Sequence, residues 1–375
     1  MKLTLVKGNT YVLEGEELIP LYKVGQDKCI LLDTGLLIER QELEETLLEN
    51  GLTPIGNLTS HAHVDHCASN GYFQGGEGGY YKSIDIGAEP RHYLLDVDGA
   101  YMCASIHCNG YLMVMHPHGY APILVDVTKR LRFGETNHLA IVTDALQCST
   151  RWYAGAGVYR DVFLWEGGDI RLEPWDVFVT TPTLDTVNAA YEIAACRDAG
   201  ITLRAEILDG DVIAASSETA VFVRSGEKTA ASLTFTLPDA KTWDTEHPHL
   251  YTIRTTLTEN GEELDTDVRT FGIRTISADA KNGLLLNGKP IKLRGGCIHH
   301  DHGVLGAADF PAACRRKLTR LRDAGFNALR IAHNPPSEQL LDICDELGIL
   351  VMDEAFDCWR QRKGGRYNYH KWFDG

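Results

Sequence analysis

Leu293-Arg294-Gly295-Gly296-Cys297-Ile298-His299-His300-Asp301-His302 decides how the C-terminal part of this chain is read. Ile291–Gly295 reads as a strand, and the polar tail after it as the rim of a pocket. Two later segments repeat the arrangement. Phe326–Ala332 is a second strand followed by His333-Asn334-Pro335, and Ile349–Asp353 a third followed by Glu354. Between them lie two helical patterns. Pro311–Ala324 carries Cys314, Leu318 and Leu321 on one face; a second helix, capped by Ser337, carries Leu340, Leu341, Cys344 and Leu347 and stops at Gly348. Strands alternating with helices in this way predict the opening units of a parallel barrel or a doubly wound sheet. Functional side chains of a βα barrel gather at the carboxyl ends of its strands. His300, Asp301, His302, His333, Asn334, Asp353 and Glu354 therefore read as a pocket rim. The alternatives are helix capping for Asp353 and Glu354, and a hydrogen bond to a neighbouring loop for His300. A whole barrel takes about 250 residues, more than twice the stretch of chain after Asn282-Gly283, so the chain reads as cut short.

Upstream the texture is different. From Tyr80 to about Thr180 strand follows strand, including Tyr93–Val97, Ala104–Cys108, Ile123–Val127 and Leu139–Thr143. Turns fall at Asn109-Gly110 and Phe133-Gly134, a spacing that favours a jelly roll or sandwich. Residues 183–277 hold further strands, among them Ala189–Ala195, Ile201–Ile207, Tyr251–Thr258 and Asp265–Arg274, enough for an immunoglobulin-like sandwich. Residues 1–74 read as short strands at Thr4–Leu13 and Ile19–Val24, then a helix over Ile38–Asn50. That helix has Leu43, Leu47 and Leu48 on one face and Gly51 as its stop. The expected divisions are thus 1–74, 75–180, 181–277 and 278–375.

Composition narrows the function. Lys and Arg total 36 against 52 Asp and Glu, a net charge of −16. That excludes a basic nucleic-acid grip and a polybasic membrane patch, and no apolar run reaches the ~18 residues of a membrane span. The ten cysteines form no Cys-x-x-Cys pair. They read as reduced thiols of a cytoplasmic protein.

Ser60-His61-Ala62-His63-Val64-Asp65-His66 places three imidazoles and a carboxylate in one short span. Zinc takes such ligands at about 2.0–2.2 Å and activates a bound water. With Leu31-Leu32-Asp33-Thr34-Gly35 before it, this stretch resembles the metallo-β-lactamase fold superfamily, whose motif is His-x-His-x-Asp-His. The resemblance covers residues 1–74 and implies part of an αββα fold. It also implies zinc held by His61 and His63 on one side and by Asp65 and His66 on the other. The family's later ligands have no counterpart after Gln74.

Residues 75–375 resemble glycoside hydrolase family 2, nearest to its β-galactosidases. The motifs are Gly75-Gly76-Glu77-Gly78-Gly79-Tyr80-Tyr81, Arg151 to Val162, Trp243 to Leu250, Phe271-Gly272-Ile273-Arg274, and the three barrel segments above. The resemblance implies a sugar-binding jelly roll, an immunoglobulin-like sandwich and the first part of a (β/α)8 barrel. It also implies retaining hydrolysis of terminal β-galactosides, in an enzyme that is often a homo-oligomer and can hold magnesium or sodium. By that likeness His300, His333 and Asn334 line the sugar site, Asp353 and Glu354 hold its polar network, Trp359 offers a flat face, and Asp161 reaches in from the jelly roll. The acid/base and nucleophile glutamates belong to the fourth and seventh strands, expected beyond Gly375. Two other functions stay open: a carbohydrate-binding fragment without catalysis, and a zinc-dependent metallohydrolase.

Overall fold

The computed structural model describes residues 2–14, 18–24, 26–32, 40–58, 77–145, 155–302 and 305–355. His61, His63, Asp65, His66 and Trp359 lie outside them, so the zinc and stacking assignments rest on sequence.

Residues 2–58 form a five-stranded sheet in chain order: Lys2–Lys7, Thr10–Glu14, Leu18–Lys23, Lys28–Leu32 and Thr53–Leu58. The first four are antiparallel neighbours, whereas the last pairs parallel with the fourth. A parallel neighbour needs a crossover, which helix Arg40–Glu49 supplies. The expected single strand Thr4–Leu13 is in fact a hairpin, turning at Gly8 with φ of +58°. Leu43 and Leu47, four residues apart, are buried, but Leu48 is 81% exposed. One residue further turns the side chain about 100° around the helix, off the buried stripe.

The second unit is two facing sheets. One runs in the order Tyr111–His116, Ala104–Cys108, Thr136–Asp144, Glu77–Asp85; the other Ile123–Asp126, His92–Val97, Val162–Gly167. Alternate residues such as Leu139 and Ile141 meet Leu95, Val97 and Ile123 in one apolar core. Asn109 and Gly110 both have positive φ, the backbone a two-residue hairpin requires.

A three-stranded sheet (Ile170–Thr180, Thr186–Ala195, Lys228–Thr236) and a four-stranded one (Val212–Val223, Ala199–Asp209, Tyr251–Glu259, Glu262–Phe271) make the second sandwich. Its core includes Ile170, Val187, Leu203, Ile253 and Leu257. Because Ile170–Thr180 pairs with Thr186–Ala195, the division between the sandwiches falls ahead of Ile170. That is earlier than the boundary expected at 180.

After a short meander the parallel strands begin: Gly295–Ile298, Ala328–Ile331 and Leu350–Met352, neighbours in that order. Helices Pro311–Asp323 and Glu338–Leu347 join them. The first strand lies later than the expected Ile291–Gly295. Glycines carry no β-propensity signal, yet the strand starts at Gly295, where only glycine fits because a Cβ would stand 1.8 Å from the Ala328 carbonyl oxygen. Trp243, fully buried, joins sandwich to barrel: its Nε1 donates to the Asp345 carbonyl at 2.7 Å.

Candidate active site

Strand alternation sorts the barrel side chains onto two faces. Ile298, Leu329, Ile331 and Val351 pack against the two helices. Cys297, Arg330 and Met352 share one register row on the opposite face, and Met352 is 58% exposed there. Two residues beyond Cys297 and Met352 come His299 and Glu354, at the carboxyl ends.

These groups form one network. Arg330 Nε donates to Glu354 Oε1 at 2.6 Å, and its Nη2 lies equally near the same oxygen. Arg330 Nη1 reaches Cys297 Sγ at 3.4 Å, and His333 Nδ1 stands 3.2 Å from Glu354 Oε2. His299 Nδ1 is 2.8 Å from the Ala332 carbonyl, so that nitrogen carries a proton. Its ring centroid lies 5.7 Å from that of His333. Glu354 is thereby committed to Arg330 and His333, and the open face presents imidazoles and a carboxylate side by side. Asp353 beside it is exposed; partial burial of its carboxyl raises the pKa, and the Glu354 backbone N–H, then the charge of Arg160, draw it back.

A second layer supports this face. Arg160, from the jelly roll, has a side chain only 1% exposed. It donates to the carbonyls of Tyr120 at 3.0 Å, Asp98 at 3.3 Å and Pro335 at 2.8 Å, so it clamps the jelly roll to the loop after the second barrel strand. Its Nη2 also stands 3.3 Å from His300 Nδ1. A guanidinium only donates, so His300 Nδ1 accepts and the ring proton sits on Nε2. Burial, then the charge of Arg160, push the His300 pKa down to about 3. The His300 ring lies 4.4 Å from Tyr120. His118 Nδ1 accepts from the N–H groups of Tyr120 and Ala121. Burial takes its pKa to about 4, with His116 and Arg160 adding to the shift and the Asn334 amide opposing it. Burial raises Asp98 to about 6 although Arg160 is 3.9 Å away.

Of the residues expected from sequence, His333 and Glu354 come together on the open face, with Asp353 beside them. His300 and Asn334 do not form a rim. At 8% and 0% exposure they lie beneath it, because the jelly-roll elements bearing Arg160, Tyr120 and His118 cover them. Asp161 is exposed, and its backbone carbonyl accepts from Asp98 N at 3.1 Å; its neighbour Arg160 is the residue that enters. His299 and Arg330 were missed as site residues. The period of two along each strand, counted back from Glu354 and on from Cys297, was the available signal.

Polar groups at the carboxyl ends of parallel strands, covered by elements of a β-sandwich, put this network where the sites of βα barrels lie. Residues 170–274 match the model for glycosyl hydrolases family 2, and residues 279–358 match that family's TIM barrel domain. Residues 170–358 belong to glycosyl hydrolases family 2. The chain is 35% identical to beta-galactosidase BoGH2A of Bacteroides ovatus over 314 residues, covering 81% of this chain and 37% of that protein. A putative beta-glucuronidase of Formosa agariphila is 32% identical over 319 residues, covering 82% of this chain and 30% of that one. The solved structure of a family 2 member from Bacteroides cellulosilyticus superposes with a TM-score of 0.76 at 39% identity, covering 81% of this chain and 40% of that one. The chain thus spans well under half the length of these relatives.

Proposed function

We propose that residues 77–355 form the sugar-binding part of a retaining β-galactosidase, with the His299, Arg330, His333 and Glu354 network holding the terminal sugar. The pairing of Arg330 with Glu354 carries this reading. A glucuronide would bring a carboxylate that needs a cation of its own. Arg330, the cation of this network, is already neutralised, and Asp353 adds further negative charge. A neutral galactoside asks only for hydroxyl hydrogen bonds, which imidazoles and a held carboxylate supply. Retaining hydrolysis needs an acid/base and a nucleophile about 5–5.5 Å apart. Glu354 is tied to a cation and a histidine, so the role assigned to it is binding.

Saturation-transfer NMR on the whole chain with methyl β-galactoside and methyl β-glucuronide tests the reading. The expected result is transfer to the galactoside, reduced at least fivefold in His333→Ala. Preferential transfer to the glucuronide would overturn the choice of sugar, and transfer to neither would overturn the binding site.

A further inference from the structure

A second cluster lies in the interior, away from the open face. His302 Nε2 stands 3.1 Å from Asp309 Oδ1, Cys314 Sγ 2.8 Å from the same oxygen, and Sγ 3.7 Å from Nε2. Imidazole nitrogen, carboxylate oxygen and thiol sulfur thus all fall within 4.8 Å of one another. The side chains of His302 and Asp309 are 5% and 8% exposed, and Cys314 is fully buried.

His300 gives an independent observation. With Arg160 on its Nδ1, the ring carries its proton on Nε2, and this buried N–H has no acceptor among the described residues. His300 lines the same cavity as His302 and Asp309, a space of about 10 Å³, close to the room one water molecule requires. Arg160 Nε approaches the other carboxylate oxygen, Asp309 Oδ2, at 3.9 Å. A cation held on that side orients the carboxylate and leaves Oδ1 turned to the histidine and the cysteine.

We propose that His302, Asp309 and Cys314 bind a divalent transition metal of the zinc class, with a water as fourth ligand donated to by His300 Nε2. Nitrogen, oxygen and thiolate sulfur together suit zinc, whose bonds of about 2.0–2.3 Å set tetrahedral ligand atoms roughly 3.3–3.7 Å apart. The sulfur–nitrogen separation already fits, and the two contacts to Asp309 open by less than about 1 Å as hydrogen bonds give way to metal bonds. On binding, the Cys314 S–H bond breaks, its electron pair goes to the metal and its proton to solvent, while the proton His302 Nε2 gives to Asp309 moves to Nδ1, freeing the Nε2 lone pair for the metal. One proton leaves per ion. The bound metal would staple the loop after the first barrel strand to the helix that follows.

Cobalt(II) is the probe, because a cobalt–thiolate bond has a charge-transfer band in the near ultraviolet. The whole chain should develop that band at one equivalent of cobalt, and zinc should bleach it. Cys314→Ser and His302→Ala should abolish it while keeping the wild-type circular dichroism. Cys67→Ser and the double variant His61→Ala/His63→Ala should retain it, which separates this site from the histidine cluster near the N-terminus. No band in the wild type, or a band that survives Cys314→Ser, would overturn the proposal.

Discussion

Arg160 shows how one side chain sets the chemistry of several others. It is buried, it donates to carbonyls of both the jelly roll and the barrel, and it fixes the tautomer of His300. Removing it leaves those carbonyls and the Asp98 and Asp309 carboxylates without their cation. Arg160→Met should therefore cost about 3–5 kcal/mol in urea unfolding, and a cost under 1 kcal/mol would contradict the clamp. His118 makes a pH prediction. Its folded-state pKa of about 4 lies below the ordinary 6.5, so below 6.5 the unfolded chain binds the proton more tightly. Its contribution is whole above pH 6.5 and is lost as pH falls toward 4. Asp98, raised to about 6, works in the opposite direction over part of that range. The test is accordingly a difference: the stability gap between the wild type and His118→Gln should change by on the order of 3 kcal/mol between pH 7 and 4.5, in the variant's favour. An unchanged gap would mean that His118 is protonated in the fold.

At the scale of elements, the glycine that ends the second barrel helix is informative. Gly348 has φ of +72°, its N–H closes on the Cys344 carbonyl, and a Cβ there would lie 2.6 Å from the Thr245 carbonyl of the neighbouring sandwich. Gly226 has a similar φ of +78° and open space around it. Gly226→Ala should cost about 1 kcal/mol for backbone strain alone, and Gly348→Ala at least about 2 kcal/mol. Equal costs in thermal unfolding would show that the contact with Thr245 is slack. The same positions explain what the sequence could convey. Gly348 as a helix stop, Ser337 as the start, and the Asn109-Gly110 hairpin were legible because their signals are local. The first barrel strand was misplaced because Gly295 signals a close approach of Ala328, which is known only once the strands pair. His300 and Asn334 read as a rim because a linear sequence cannot show that Tyr120, His118 and Arg160 will lie over them. Arg330 was passed over since its partner, Glu354, comes 24 residues later.

Across the whole molecule, the sandwich and the barrel are joined at Trp243. The indole is fully buried, bonds to the Asp345 carbonyl, and carries the Arg274 guanidinium 4.5 Å from its ring. Trp243→Ala should cost about 3–5 kcal/mol and split one thermal transition into two, the barrel segment melting first. A single transition shifted as a whole would argue that the two parts unfold together regardless of this contact. Under the proposed function two layers of histidine divide the work: His299 and His333 meet the sugar, while burial holds His118 and His300 neutral underneath. Histidine-selective ¹⁵N NMR during titration with methyl β-galactoside tests it most directly. The His299 and His333 signals should move with added sugar, and His118 and His300 should keep the shifts of neutral rings protonated on Nε2. Movement confined to His118 or His300, with His333 unaffected, would contradict the account.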